Sequence, residues 1–506
     1  MVSWGPRTLA KRIGQAAYAS AAVEGASRAL SIILSIAVAR ALEPREVGVL
    51  GLAVIVVGGL SQVAFYVETA CVTSRSTGSD PAYASAAVLV RGVATAVLSS
   101  VVLLSLDGLA ILLSADAAGS ELASLSRLLL WQLVLEVAGT YPRVLLQRRL
   151  RFTPLVVGNL VGVASHVCLS VILLALGYGA KGVVWASLAG IGLTAGVLWA
   201  SLDKQSWPRI AGIESVLWRQ VLPATGKVFV GGFPGYVGGR VDNVLVAGSL
   251  GPVAMSFYAM AWSASRMPVS VLYQAVGVVL TPAVAHMRDD SEGLRLIVSR
   301  SIGHCYLLLL PVCTFLLVSG PVLVTCVLGV KWLPLVPCLR VMAVTILVAP
   351  VLAVSSALLL GSGRQHLPGL GSAVHLLVLT VLMVPLTRWG GIVGAAVADL
   401  ASATILTATQ YVVCRLTLSK LTFGLSRALP LPILAAAVAG VSAWRVGMEF
   451  SYGVGRLASE ALMIGLVYGA VTILLVGRGR LIGLAMMLRA TARVTPVASG
   501  SPTNRI

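Results

Sequence analysis

Seven basic side chains lie five or more residues inside long apolar stretches of this 506-residue chain. They are Arg28, Arg91, Arg127, Lys227, Arg240, Arg266 and Arg340. A charge at the centre of an apolar helix in a bilayer costs about 2.5–3.5 kcal/mol on insertion scales. Such residues therefore tend to face a cavity or a partner, and they mark the candidate sites of this chain.

Two of these basic residues are each spaced from an acidic residue so that the two side chains share a helix face. Arg28 follows Glu24 by four residues, which places both on one side of a helix. They form either a self-satisfied structural pair or a cavity cation tuned by its carboxylate. Lys227 and Asp242 differ by about 60° in helical phase, so they line roughly one face. All four are candidate substrate-binding residues.

Three further charged residues are also candidates. Arg240 points away from the face of Lys227 and Asp242, which favours a contact that closes two halves of the molecule, although it stays a candidate binding residue. Arg266 is a candidate cavity residue. Asp399 could relay a proton, bind sodium, or pair with one of the arginines.

The remaining three basic residues lie nearer the ends of their apolar segments. Long basic side chains in such positions extend to the lipid headgroups. We therefore predict that Arg91, Arg127 and Arg340 reach the membrane surface.

A glycine-rich run interrupts one apolar segment. Residues 231–239 read GGFPGYVGG, with five glycines and one proline. No Lys-Ser/Thr pair follows, so this is not a phosphate-binding loop. Small residues for close helix packing are one interpretation. We favour a hinge in the helix, formed by Gly231, Gly232, Pro234 and Gly235.

The composition is that of an integral membrane protein. Hydrophobic residues make up 58% of the chain and charged residues 11%, whereas soluble domains are about a quarter charged. Fourteen segments are long and apolar enough to span a bilayer. They are 15–38, 47–70, 84–106, 122–145, 154–176, 182–201, 221–249, 255–285, 302–328, 335–361, 367–387, 391–414, 427–446 and 455–477.

Basic residues between the spans alternate in number from one side to the other. With the N-terminus in the cytoplasm, the cytoplasmic loops and tails hold 23 Lys and Arg and the opposite loops hold 7. This asymmetry predicts that both termini are cytoplasmic, the C-terminal one in a basic tail over 481–506. The net charge of +19 fits loops beside anionic lipid, not nucleic-acid binding, since the basic residues are not clustered in one domain.

An internal repeat divides the chain. Residues 39–53 (ARALEPREVGVLGLA) are echoed at 247–261 (AGSLGPVAMSFYAMA), with four identities at an offset of 208. Chance similarity between Ala- and Leu-rich segments is the alternative. The repeat predicts an all-α polytopic protein with two six-helix lobes, 1–210 and 211–418, and two additional helices in 419–480. Such lobes place a substrate site between them and work by alternating access.

Four motifs occur in order along the chain. The first loop, residues 39–48, reads ARALEPREVG, and residues 145–152 read LLQRRLRF. Arg240-Val241-Asp242-Asn243 precedes Leu250-Gly251 and Tyr258-Ala259, and Leu328-Gly329 precedes Trp332 and Pro334. Together they resemble the polysaccharide and O-antigen lipid-linked oligosaccharide flippases of the multidrug/oligosaccharidyl-lipid/polysaccharide exporter superfamily. Val47 departs from the pattern, which usually has an aromatic residue there.

The resemblance implies a function and its partners. The expected activity is transfer of an undecaprenyl-diphosphate-linked glycan unit across the cytoplasmic membrane of a bacterium, by alternating access and without a cofactor. Cations of the cavity would hold the diphosphate, since Arg and Lys suit phosphate oxygens. H⁺ or Na⁺ and polysaccharide polymerase or assembly proteins are further possible partners; nucleic acid is not.

Two alternatives remain open. A drug/cation antiporter of the same superfamily predicts an acidic cavity, whereas the spans here carry seven bases against six acids: Glu24, Glu68, Glu136, Asp242, Asp399 and Glu460. A membrane polysaccharide polymerase or glycosyltransferase usually needs a sizeable loop or catalytic domain. No loop exceeds about twenty residues, and no constellation of catalytic or metal-ligating residues is visible, so we do not expect an enzyme.

Overall fold

The computed structural model describes residues 6–73, 80–113, 118–203, 208, 221–287, 291–364, 366–417, 430–450 and 453–476. Within these ranges the chain is helical and has no strand. The predicted basic tail, 481–506, lies outside them, as do the side chains of Glu24 and of Gly231–Gly235.

The described residues form fourteen α-helices and two short 3₁₀ segments. The helices are α1 (Pro6–Ala41), α2 (Pro44–Thr73), α3 (Asp80–Leu113), α4 (Ala118–Arg148), α5 (Phe152–Ala175), α6 (Gly179–Ala200), α7 (Leu222–Gly238), α8 (Val241–His286), α9 (Ser291–Val327), α10 (Val336–Val344), α11 (Ala349–Gly361), α12 (His366–Thr417), α13 (Pro430–Met448) and α14 (Val454–Val476). The 3₁₀ segments, Val330–Leu335 and Thr345–Leu347, flank α10.

Two of these helices are each long enough to cross a membrane twice. A residue with positive φ lies inside each, Gly251 (φ 84°) in α8 and Gly391 (φ 58°) in α12. A positive φ favours glycine, because a Cβ would strain the backbone there. The chain turns at both glycines, close to the predicted ends of the seventh and eleventh spans. The prediction of an all-α polytopic membrane protein with about fourteen helices is confirmed.

The seventh predicted span is not one continuous helix. α7 ends at Gly238, two turn residues follow, and α8 begins at Val241. The backbone is helical through Pro234, so the break comes at the end of the glycine-rich run rather than at the proline. The phase argument that placed Lys227 and Asp242 on one face assumed an unbroken helix and does not hold. Lys227 is exposed, whereas Asp242 is only 3% exposed.

Helix α2 joins the two halves of the chain. It packs against α3 and α4 on one side and against α7 and α8 on the other. The two copies of the repeat meet here: a Cβ on Gly48 would lie 2.0 Å from the carbonyl oxygen of Pro252. Gly48 thus allows the two backbones to touch, which a larger residue would prevent.

A set of hydrogen bonds joins the α1–α2 corner to the end of α9 and the 3₁₀ segment that follows it. We call this set the corner latch and define it by its three donor residues, Arg40, Lys331 and Trp332. Lys331 Nζ donates to the carbonyl oxygens of Arg40 (3.1 Å) and Leu42 (2.7 Å). Trp332, fully buried, donates from Nε1 to the carbonyl of Ala39 at 2.8 Å.

Other hydrogen bonds of the latch are donated in the opposite direction, from the α1–α2 corner to the end of α9. Arg40 donates from Nε to the carbonyl of Val327 at 2.8 Å and from Nη2 to that of Cys326. The α1–α2 corner and the α9–3₁₀ corner therefore cap each other's last helical carbonyls, which otherwise lack partners. The latch joins the first of the four motifs to the fourth.

Candidate functional site

A cavity of about 590 Å³, with polar side chains set in a mostly apolar wall, lies within the first half of the chain. Its walls come from α2, α4, α5 and α6, with Arg91 reaching in from α3. The polar lining residues are Ser61, Gln62, Glu68, Arg91, Gln132, Glu136, Arg143, Asn159, His166, Ser187 and Thr194. A cavity of this size, with polar groups converging in an apolar wall, has the character of a ligand-binding site.

An ion cluster lies at one end of the cavity. Arg91, 3% exposed, donates from Nη1 to Oε1 of Glu68 and from Nη2 to Oε2 of Glu136 at 2.6 Å. Thr140 accepts a third hydrogen bond from Arg91 at 2.9 Å, and Arg143 Nη1 lies 3.4 Å from Oε2 of Glu68. Two carboxylates and two guanidinium groups thus balance in charge, as buried ions must to be tolerated.

The prediction that Arg91 reaches the membrane surface was wrong. Its side chain is buried between α2, α3 and α4 because two carboxylates on neighbouring helices compensate its charge. Residues 132, 136, 140 and 143 of α4 follow a spacing of four, four and three, which places one polar stripe on a single face. That stripe, Gln132, Glu136, Thr140 and Arg143, is the sequence signal that indicates this site.

The close approach of α5 and α6 forms another wall of the cavity. A Cβ on Gly162 would lie 2.8 Å from the carbonyl oxygen of Gly190, and a Cβ on Gly190 would lie 2.6 Å from that of Gly162. The hydroxyl of Thr194 donates to the carbonyl oxygens of Gly158 and Gly190. Small residues at the crossing let the helices touch along this wall, as is common between membrane helices.

A second buried cluster lies in the other half of the chain. Arg266 Nη2 donates to both carboxylate oxygens of Asp399, at 3.0 and 2.9 Å. Asp242 accepts a hydrogen bond from the hydroxyl of Tyr258 at 3.1 Å and interacts electrostatically with Asp399 and Arg266. Among the described residues, Arg266 pairs with Asp399, whereas Asp242 has hydrogen bonds from Tyr258 and Asn243 and no ion pair.

The second cluster bears on three sequence-predicted residues. Of the alternatives for Asp399, pairing with an arginine is the one seen. Arg266 is that arginine, and its side chain keeps 30% exposure. Asp242 and Tyr258 belong to the same motif, and their hydrogen bond ties its two ends together across the Gly251 turn.

The other predicted residues lie apart from both clusters. Arg28 is half-buried on α1, and Lys227 is exposed on α7. Arg240 is exposed at the start of α8, with its guanidinium carbon 5.4 Å from the ring centre of Tyr236. The described lining of the first-half cavity includes no member of the predicted binding set.

Comparison with solved structures places the fold. Over 90% of this chain and 98% of the other, it superposes with a TM-score of 0.71 and 13% identity on the lipid II flippase MurJ in its inward closed conformation. An inward-facing multidrug resistance MATE family transporter of the MOP superfamily gives a TM-score of 0.64 with 16% identity, over 78% and 94% of the two chains. At these identities the likeness concerns the fold alone.

Comparison of sequences gives one curated relative. An uncharacterized membrane protein in the cps region of Klebsiella pneumoniae is 25% identical over 162 residues, which is 32% of this chain. The match spans about a third of that relative's own length (33%).

A family model matches the greater part of the chain. Residues 37–337, from the α1–α2 corner through the corner latch, match the model of a family described as polysaccharide biosynthesis protein. This stretch contains all four motifs and both halves of the latch, which confirms the resemblance stated from the motifs. The chain therefore belongs to the polysaccharide biosynthesis protein family and has the multi-helix fold of the MOP superfamily.

Proposed function

We propose that this protein moves an undecaprenyl-diphosphate-linked oligosaccharide from the inner to the outer leaflet of the bacterial cytoplasmic membrane by alternating access. The observation that carries the proposal is a polar cavity inside a helix bundle whose two halves are fastened together at one face. Charged and amide side chains inside a membrane-spanning bundle are costly and usually mark the path of a polar cargo. Closure at one face is what alternating access requires of each end state.

The names of similar proteins support this choice of cargo. The structure with the highest TM-score described above is named a lipid II flippase, and the family is named for polysaccharide biosynthesis. The motifs that resemble lipid-linked oligosaccharide flippases point to the same cargo. By the predicted topology, with both termini in the cytoplasm, the corner latch closes the periplasmic face.

The diphosphate would be bound by cations outside the two buried clusters. Arg28, Lys227 and Arg240 keep the role proposed for them from the sequence, since each is at least partly exposed and each can donate to phosphate oxygens. Glu24, one helical turn before Arg28, would tune that cation. Gly231, Gly232, Pro234 and Gly235 would let α7 bend against α8 as the cavity changes its access.

Energy coupling would use the second-half cluster. Asp399 pairs with Arg266, whereas Asp242 has no ion pair among the described residues, so a proton or Na⁺ bound at Asp242 would complete the charge balance there. Binding of the cation would weaken the Arg266–Asp399 pair and release α12 from α8. This step is the proposed role of Asp399 in ion coupling.

A gene deletion tests the transport proposal. Surface polysaccharide and precursor held in the cytoplasmic leaflet are measured together in the deletion strain. Loss of polysaccharide with accumulated precursor is expected, and unchanged levels of both would refute the proposal. Strains complemented with Arg28→Ala or Lys227→Ala then test the diphosphate site, with Lys181→Ala, an exposed lysine of α6, as the control.

A drug/cation antiporter remains the second candidate because the MATE transporter shares the fold. An organic cation in the first-half cavity would find both carboxylates already engaged by Arg91. The discriminating measurement is drug efflux from cells that express the protein. Efflux without any effect on polysaccharide would favour the antiporter.

A further inference from the structure

The charged side chains that line the first-half cavity balance one another. Glu68 and Glu136 are both engaged by Arg91, and Arg143 adds the second positive charge. A phosphate group entering the cavity would meet carboxylates, and a bare cation would meet guanidinium groups. The electrostatics therefore disfavour both kinds of ion.

Side-chain amides supply the hydrogen-bonding capacity. Gln62 of α2 and Asn159 of α5 line the cavity, and each amide carries both donors and acceptors. Gln132 uses its NH₂ group on Glu136 at 2.8 Å, which leaves its carbonyl as an acceptor. Among the described residues, Nε2 of His166 is buried without a hydrogen-bond partner and lies in the same wall.

An aromatic side chain lines the same cavity. Phe65 lines it and is 55% exposed, although it is an apolar residue of a helix that packs on both sides. The face of an aromatic ring is electron-rich and attracts weakly positive C–H groups. A sugar ring presents such C–H groups on its faces and hydroxyl groups around its edge, and each hydroxyl both donates and accepts.

We infer that this cavity, between Phe65, Gln62, Asn159 and His166, binds the neutral sugar rings of the transported glycan. The inference rests on the proposed function and assigns the two parts of the cargo to different places. The cations outside the cavity bind the diphosphate, whereas the first-half cavity holds the sugar. Selectivity among glycans is then determined by the amides of α2 and α5, and not by the basic residues.

The test compares two probes on the full-length protein in lipid nanodiscs. One is undecaprenyl-diphosphate-linked oligosaccharide extracted from the producing cells, and the other is undecaprenyl diphosphate without sugar. Gln62→Met and Asn159→Leu remove an amide at nearly constant volume. Gln410→Met is the matched control, because Gln410 is a buried glutamine of the second half that accepts a hydrogen bond from Ser356.

The expected result is selective. Each cavity variant weakens binding of the glycan-bearing probe by roughly fivefold, the effect of one lost hydrogen bond, and leaves binding of the sugar-free probe unchanged. Equal loss for both probes, or none for the glycan-bearing one, would overturn the inference. If the wild-type protein binds neither probe, the proposed function itself fails.

Discussion

The corner latch offers the sharpest test of the mechanism. Lys331→Ala removes two hydrogen bonds from an ammonium group to the carbonyls of Arg40 and Leu42. Hydrogen bonds to charged groups contribute about 1.5–3 kcal/mol, and the 27% exposure of Lys331 reduces this to about 1 kcal/mol each. The variant should therefore destabilise the latched state by about 2 kcal/mol, a change of roughly 25-fold in the opening equilibrium.

That shift is large enough to be seen directly. An open state populated at about 1%, within the usual range for minor conformers, would rise to roughly 20%. Spin labels at Tyr178→Cys and Trp389→Cys, both exposed at helix corners of the two halves, report the distance between halves by pulsed electron resonance. Cys168 and Cys326, the free cysteines that are not buried, are first replaced by serine.

The expected outcome is a second, longer distance in Lys331→Ala. Trp332→Phe keeps most of the buried apolar volume and loses one hydrogen bond to Ala39, so it should open the latch about fivefold. Arg45→Ala is the control, since Arg45 is exposed on the first turn of α2. An unchanged distance distribution in Lys331→Ala would refute the assignment of this face as the closed gate.

Three further predictions concern the buried contacts. Arg91→Met removes the guanidinium that Glu68 and Glu136 share and should cost about 3–5 kcal/mol of stability, measured by thermal unfolding of the purified protein. Adding Glu68→Gln and Glu136→Gln should recover much of that loss, and no recovery would contradict the charge-balance argument. Gly48→Ala should lower stability by about 1–3 kcal/mol in the same assay because its Cβ meets Pro252, whereas Gly248→Ala, with open space around it, should not. Asp399→Asn should abolish the dependence of transport on a proton or sodium gradient in proteoliposomes, and persistent dependence would exclude this residue from ion coupling.

Most of the fold could be predicted from the sequence because lipid imposes a simple rule. Every apolar stretch of about twenty residues must be helical so that its backbone groups are bonded internally. The turns inside α8 and α12 were also accessible, since Gly251 and Gly391 lie close to the boundaries between predicted spans. The break between Gly238 and Val241 was not recognised, because the apolar stretch 221–249 is long enough for one span and Arg240, Asp242 and Asn243 were interpreted as charged or polar residues inside it.

The site was harder to predict, for a reason that Arg91 illustrates. The position of an arginine along a span determines whether its side chain can reach the headgroups. Whether the side chain stays buried instead depends on carboxylates of neighbouring helices that compensate its charge. Glu68 and Glu136 lie 23 and 45 residues away in sequence, so the pairing depends on the packing of α2, α3 and α4. Asp399 and Arg266, 133 residues apart, present the same difficulty. Only the stripe on α4 was local enough to be recognised in advance.

The corner latch also predicts how the protein tolerates mutation. Its acceptors at Ala39, Arg40, Leu42, Cys326 and Val327 are all main-chain carbonyls, which every amino acid supplies. Substitutions at several of these positions can therefore preserve the bonds, provided the corner keeps its shape. The donors have no such freedom, because an indole N–H, an ammonium and a guanidinium each have a distinct reach. In a saturation mutagenesis screen, intolerance should concentrate on Arg40, Lys331 and Trp332, while Cys326 and Val327 accept many replacements.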